Sequence, residues 1–416
     1  MSETVQLNEQ NIPVVVNNNR NELAINYSVK IGRGILRIIG GWPHNEKTST
    51  IEKIYSYFAK ILCYFLFTFI LLPGLLRIFL IEQNVRIRLK IFGPLCTCSI
   101  NATKYSILMT RGKKIKECMQ HVRDDWKKVV LEKDYESMMS HAKVGRTLAL
   151  MSASFIYGAG MSYRTILPLT KGKLIIGNVT IRPLACPSYF VIFNEQESPA
   201  YELVFFLQFL AGFSVYSVAC GVCGLATFLI MHVCGQLEIL MRMMRDIVDG
   251  KDENDSDADK RIAEVIRHQI RAKNFVKDVE EILQYLCMVE ILGCTSLVCL
   301  VLYYLIMEWE NSDTTGLVTY FVFLLSFAFN MFIFCYIGEL LSEQVPNISS
   351  PYIYPFFCPF QGTKVGVTSC TLNWNRLPTK SARSLVLIIL ASNHPIKIVA
   401  GKLMDMSLSN FNNVSN

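Results

Sequence analysis

Thr371-Leu-Asn-Trp374-Asn-Arg-Leu-Pro378-Thr-Lys-Ser-Ala-Arg383-Ser-Leu-Val-Leu-Ile-Ile-Leu-Ala-Ser-Asn-His394-Pro395-Ile-Lys-Ile-Val-Ala-Gly401-Lys402 decides how the chain is read. A polar start carrying Trp374, Arg376 and Pro378 leads into an unbroken apolar run, Leu385 to Ala391. His394-Pro395 ends that run, because proline lacks a backbone donor and disfavours helix in the residue before it. The chain then restarts at Ala400-Gly401. A short apolar helix, a proline break and a second start predict an anchor helix at the cytoplasmic face that feeds a last membrane crossing.

The bulk composition agrees. Of 416 residues, 51% are apolar, and the mean hydropathy is positive. That is too apolar for an ordinary soluble domain and fits a polytopic membrane protein. Residues 1–53 are polar and mixed in charge, with no apolar stretch before a cleavage site. No removable signal is therefore expected, and the first crossing serves as the membrane address. Most of the fourteen cysteines, among them Cys63, Cys220, Cys223, Cys294, Cys299 and Cys335, lie in apolar runs and read as small hydrophobes. Cys220-Gly-Val-Cys223 has no second ligand pair, so no metal and no cofactor are expected.

A membrane helix needs ~20 mostly apolar residues. Six stretches qualify: Ile54 to Leu80, Lys90 to Thr110, Val144 to Leu169, Tyr201 to His232, Tyr285 to Met307 and Gly316 to Leu341. The second is the weakest. It carries Asn101 and Lys104, which predicts that it faces protein or a water-filled cavity rather than lipid. The seventh crossing is expected after Pro395. The expected organisation is thus a cytoplasmic segment over 1–53, helices one to four over 54–232 with a long outer loop at 170–200, and cytoplasmic extensions with an acidic loop over 233–284. Helices five and six follow over 285–341, then a cytoplasmic loop over 342–370, the anchor helix over 371–395 and the start of helix seven over 396–416.

Lys and Arg crowd Arg111 to Ser140 and Arg242 to Lys277 and recur before Lys53, whereas the alternate loops hold few. The positive-inside rule then places the N-terminus in the cytoplasm. With seven crossings the C-terminus lies outside, the reverse of a G-protein-coupled receptor. The Asp-Arg-Tyr and Asn-Pro-x-x-Tyr signatures of those receptors do not occur.

Six short motifs in order carry a resemblance. They are Asp124-Asp125-Trp126; Pro187-Ser188-Tyr189; Ser198-Pro199-Ala200-Tyr201-Glu202-Leu203 with Gln208 downstream; His232 with Gln236-Leu237-Glu238-Ile239-Leu240; Phe334-Cys335-Tyr336-Ile337-Gly338-Glu339-Leu340; and the Trp374 to Pro395 region. Each is weak alone. In this order on these helices the chain resembles the insect odorant receptors, seven-helix odorant-gated cation channels. The resemblance implies an all-α membrane bundle with a cytoplasmic N-terminus and no enzyme activity. It implies a heterotetramer with a shared co-receptor subunit, small apolar odorants as ligands, and the plasma membrane of olfactory neurons, with membrane lipid around it and no nucleic acid. Subunit contacts would fall on Trp374, Leu385, Leu387, Ile388 and Ile389, and seventh helices would line the pore.

Few ionisable groups are expected at depth. Glu290 and Arg146 read as residues near cytoplasmic helix ends that reach the interface, and His232 and Glu238 lie beyond the fourth crossing. No nucleophile–base pair, phosphate loop or metal set is present, which excludes an enzyme reading. A ligand pocket fits better. Ser154, Tyr157 and Met161 share one face of the third helix; Phe209, Phe213 and Tyr216 share one face of the fourth; Tyr320 and Phe323, with Phe327, share one face of the sixth. Phe92 joins them from the second. Packing is the competing reading of such stripes. With few polar groups fixed, selection by shape is expected. A gustatory-type receptor and a transporter are the alternative functions; the transporter should show internal repeats, and none is found.

The charged run Asp249 to Asp259 reads as a solvated loop. Asn178-Val-Thr180 in the outer loop is a glycan acceptor. Two stretches depart from the resemblance. Val345 to Gly362 holds four prolines and no charge, and reads either as translated intron sequence or as a proline-rich cytoplasmic loop. The seventh crossing is interrupted by Lys397, Lys402, Asp405, Asn410, Asn412 and Asn413, so it reads as incomplete, the ending of a truncated gene product or a non-conducting isoform.

Overall fold

A computed structural model describes residues 18–44, 48–171, 174–176, 179–249, 255–310, 314–344, 399–400 and 404–405. Among them are eight α-helices: α1 (Asn18–Ile38), α2 (Thr50–Leu76), α3 (Val85–Thr110), α4 (Gly112–Lys128), α5 (Glu132–Lys171), α6 (Ala200–Asp249), α7 (Asp255–Glu310) and α8 (Thr314–Gln344). Two antiparallel hairpins are also present: β1 (Leu174–Ile176) with β2 (Val179–Ile181), and β3 (Val399–Ala400) with β4 (Met404–Asp405). The six expected crossings fall on α2, α3, α5, α6, α7 and α8.

Composition explains which helices face what. Segments of α2, α6, α7 and α8 are long and apolar enough to cross a bilayer on their own. By contrast, α3 and α5 carry polar residues, and these turn inward: Asn101, Lys104, Ser152 and Arg164 are all buried. The inward-facing reading of the second crossing is thus what the structure shows. Within α2, Pro73 is followed by a π turn over Arg77–Ile81, and the Pro73 carbonyl accepts from the backbone N–H of Tyr189 in the outer loop. The proline thereby marks where that loop docks.

The hub is α6, which packs against α1, α2, α3, α5, α7 and α8. Its 50 residues at ~1.5 Å each span about 75 Å. That is more than twice a ~30 Å hydrocarbon core, so α6 and the 56-residue α7 continue well past the membrane. Small residues let helices meet there. A Cβ on Gly224 would lie 3.4 Å from the Gly32 Cα, so α1 crosses α6 at backbone distance.

Several expectations change. The segment before the first crossing contains α1, an amphipathic helix that buries Ala24 and Leu36 and is followed by buried Ile39 and a turn at Gly40 with φ +67°. Its Asn21 side chain donates to the Val129 carbonyl. Glu290 does not reach an interface: it is buried and paired with buried Lys104. Arg146 stacks over the Tyr27 ring at 4.2 Å. Asp255 to Asp259, expected in the solvated loop, are helical and open α7. Over 396–416 the four described residues form the β3–β4 ladder instead of a helix start, consistent with Gly401, Lys402 and Asp405 interrupting any apolar run. Trp374, Leu385, Leu387, Ile388 and Ile389, the glycan acceptor Asn178, and the 345–362 stretch lie outside the described residues.

Candidate ligand site

The helix ends nearest the 182–199 loop enclose an aromatic cavity of about 50 Å³. Five helices build it, α6 through Val215 and Tyr216. From α3 come Gly93, Pro94 and Thr97; a Cβ on Gly93 would lie 2.8 Å from the Tyr304 hydroxyl, so glycine there admits the tyrosine. From α5 come Tyr163 and Arg164. From α7 and α8 come Tyr304, Tyr320, Phe323 and Phe327. Their rings contact one another: Tyr304 and Tyr320 are 5.2 Å apart, Tyr163 meets Phe323 edge-on at 5.3 Å, and Phe323 stacks on Phe327 at 5.8 Å.

The loop between β2 and α6 closes over this end. Gln208 holds it, accepting from the Cys186 N–H at 3.1 Å while its amide donates to the Cys186 carbonyl at 2.7 Å and to Ser188 Oγ at 3.1 Å. Beneath Gln208, Arg164 Nη1 donates to the Gln208 carbonyl at 2.7 Å and Nε to the Tyr216 hydroxyl at 3.3 Å. At the rim, Lys90 pairs with Glu308 at 2.5 Å.

A second compartment of about 40 Å³ lies deeper and shares Thr97, Tyr216, Leu297, Phe323 and Phe327 with the first. Its floor is polar. Glu290 pairs with Lys104 and accepts from Asn330 Nδ2 at 2.6 Å and Cys294 Sγ at 3.2 Å. Asn101 Nδ2 donates to the Thr97 carbonyl at 2.8 Å, while its Oδ1 is buried without a partner. These volumes hold a few waters each. A larger guest therefore requires ring rotations of Tyr320, Phe323 or Tyr216.

Of the residues expected at a ligand site, Tyr216, Tyr320 and Phe323 are brought together around these cavities. Tyr157 and Phe213 meet each other at 5.6 Å beside them, and the Tyr157 hydroxyl bonds Ser217 at 2.7 Å. Met161 and Phe209 are half-buried outside the lining. Ser154 is exposed and bonds its own Leu150 carbonyl; Phe92 is exposed on α3. Tyr163, Arg164 and Tyr304 were missed by the stripes. A charge at position 164 in an otherwise apolar crossing was the available signal.

At the end of the bundle away from the aromatic cavity, two of the short motifs meet. Asp125 Oδ2 lies 3.1 Å from His232 Nε2 and 3.4 Å from His121 Nε2, and Oδ1 accepts from Arg271 Nε at 2.6 Å. Burial pushes the Asp125 carboxyl up, but His232, His121 and Arg271 outweigh it and hold it below the usual carboxylate range. Burial holds the His121 imidazole below its usual value against the pull of Asp125. This node edges a cleft of about 1020 Å³ lined by acids and bases of both signs, including Asp134, Arg242, Arg267 and Asp278. Its ionic walls suit solvent or protein contact rather than an apolar guest. Among the described residues no cluster could hold a metal ion.

Comparison with known proteins agrees with this architecture. A sequence profile described as 7tm Odorant receptor matches residues 88–352. Odorant receptor 10 of Aedes albopictus is 23% identical over 227 residues, 53% of this chain and 54% of that protein. Odorant receptor 82a of Drosophila melanogaster is 24% identical over 219 residues, 53% of this chain and 51% of that one. The match spans about half the length of these curated relatives. In structure, the chain is similar to the insect olfactory receptor OR5 from Machilis hrabei in complex with eugenol. The TM-score is 0.74 at 12% identity, covering 95% of this chain and 96% of that one. A second structure of OR5 from Machilis hrabei gives a TM-score of 0.71 at 13% identity.

Proposed function

Because this chain belongs to the 7tm Odorant receptor family, we propose that it is an odorant receptor subunit that binds small apolar volatiles in the aromatic cavity between α3, α5, α6, α7 and α8. The supporting observation is the cavity itself. A multi-pass helical bundle surrounds apolar space with rings from four helices, and only a few polar groups, among them Lys90, Thr97 and Arg164, join the lining. Such a lining suits an apolar guest with at most one or two polar atoms. The OR5 complex with eugenol is a structure of a relative of the same fold holding such a molecule.

In this reading the volatile acts by binding an open state better than a closed one. Ring movements of Tyr216, Tyr320 and Phe323 would accompany its entry, since the closed cavities are small. The subunit works with a co-receptor in a heterotetrameric, non-selective cation channel of the olfactory neuron plasma membrane. Its N-terminus is cytoplasmic, and Trp374, Leu385, Leu387, Ile388 and Ile389 take part in subunit contacts. The outer-loop Asn178 carries a glycan.

A volatile panel tests this. The purified chain should be stabilised by some apolar volatiles, and calcium entry should follow only in cells that also carry the co-receptor. Signals from the chain without a co-receptor contradict the shared-channel part. No stabilisation by any volatile contradicts the receptor part.

A further inference from the structure

Among the described residues, every cation that touches these cavities has a carboxylate beside it except one. Glu308 answers Lys90, and Glu290 answers Lys104. Arg164 is 5% exposed and lines the aromatic cavity, yet its hydrogen-bond partners are a carbonyl oxygen and a phenol. Neither neutralises a charge. A guanidinium has five N–H donors and stays protonated; two are used here. Burying a charge without a counter-ion is costly, so such sites are retained where something supplies the opposite charge.

The chain also makes room for this side chain. A Cβ on Gly212 would lie 2.1 Å from Arg164 Nε, and one on Gly160 would lie 2.2 Å from the Tyr216 ring. Two glycines on facing helices thus admit the arginine and the tyrosine that orients it. With Nε and Nη1 held by Tyr216 and Gln208, the planar group is fixed before a guest arrives. A fixed guanidinium fork is matched to a carboxylate, which accepts two parallel N–H bonds.

We propose that Arg164 makes this receptor selective for small organic acids, its guanidinium receiving the carboxylate while Tyr163, Tyr304, Tyr320 and Phe323 hold the apolar body. This rests on the reading of the aromatic cavity as the ligand site, and adds the ligand's chemical class. The competing role for Arg164 is a structural staple between α5 and the Gln208 backbone. A staple is indifferent to the charge of the guest, so ligand charge separates the two.

The test uses the full 416-residue chain in lipid nanodiscs at pH 7.4, where simple carboxylic acids are ionised. Benzoate and hexanoate are compared with methyl benzoate and methyl hexanoate, and affinity is read from the concentration dependence of the thermal midpoint. The acids should bind more tightly than their esters. Arg164→Gln should weaken the acids about tenfold to a hundredfold, the range for a charge-assisted bond, and leave the esters within about threefold; Arg164→Lys should fall between. Equal loss of acids and esters in Arg164→Gln, or esters binding the unaltered chain as well as acids do, overturns the proposal. The second comparison needs no variant, so it decides even where Arg164→Gln does not fold. Binding of neither acids nor esters removes the cavity reading and this inference with it, whereas ester binding without acid preference removes this inference alone.

Discussion

His232 Nε2 lies 3.1 Å from Asp125 Oδ2, and this contact joins α6 to α4 across 107 positions of sequence. Arg271 of α7 bonds the other carboxylate oxygen, so three helices meet on one buried acid. Removing one member of a buried hydrogen-bonded charge set costs ~3–5 kcal/mol, because its partners remain buried and unpaired. Asp125→Ala should therefore lower the thermal midpoint and the surface level sharply, while Lys127→Ala, an exposed partner of Asp124, should leave both near wild type.

The same node sets a pH dependence. His121 is held below the usual imidazole value, so the unfolded chain takes up its proton first as pH falls. Stability then declines as pH drops below about 6.5, and the decline stops at the lower folded value. Asp125 is depressed, so its contribution persists through this window and is lost only under stronger acid. Thermal midpoints measured from pH 8 to pH 5 should fall in the wild type and fall less in His121→Asn. Identical slopes would place the pH sensitivity elsewhere.

At membrane depth the Lys104–Glu290 pair behaves as a unit. Lys104→Met alone leaves a buried carboxylate held by Asn330 and Cys294, an expected loss of ~3–5 kcal/mol. Lys104→Met with Glu290→Gln removes both charges and keeps an acceptor for Asn330. The double variant should be more stable than Lys104→Met, a non-additivity that a double-mutant cycle reads directly. Additive losses would mean that the two side chains are not coupled.

The spans on α2, α6, α7 and α8 were legible because hydropathy over ~20 residues is a strong signal. Less apolar elements were harder. The segment before the first crossing looked merely polar, yet α1 buries Ala24 and Leu36 on one face, and α4 buries Ile115, Cys118, Val122 and Trp126 at helical spacing under a high density of Lys and Arg. Glu290 was misplaced because sequence distance to a helix end does not say where a 56-residue helix enters the bilayer. Aromatic stripes located Tyr216, Tyr320 and Phe323 but missed Tyr163 and Arg164, since which stripe faces the cavity depends on how neighbouring helices pack. Asp125 and His232 were each noted in a motif, but the bond between them was not visible from either.

Orientation rests on the basic loops alone. A tag placed at Ser2 should be stained only after permeabilisation, following the positive-inside distribution. Staining of intact cells would reverse the topology and move the Asp125 node to the outside.

Thr97 and Val301 wall the aromatic cavity, and Thr97 also borders the deeper compartment. Thr97→Phe and Val301→Phe should each fill this space. The most direct test of the ligand site is titration calorimetry of the nanodisc-held chain with eugenol and benzoate, beside the two filled variants. The expected result is one saturable site that weakens at least about tenfold, ~1.4 kcal/mol, in both variants while their thermal midpoints stay at or near the wild-type value. Undiminished affinity in both filled variants would contradict binding in this cavity.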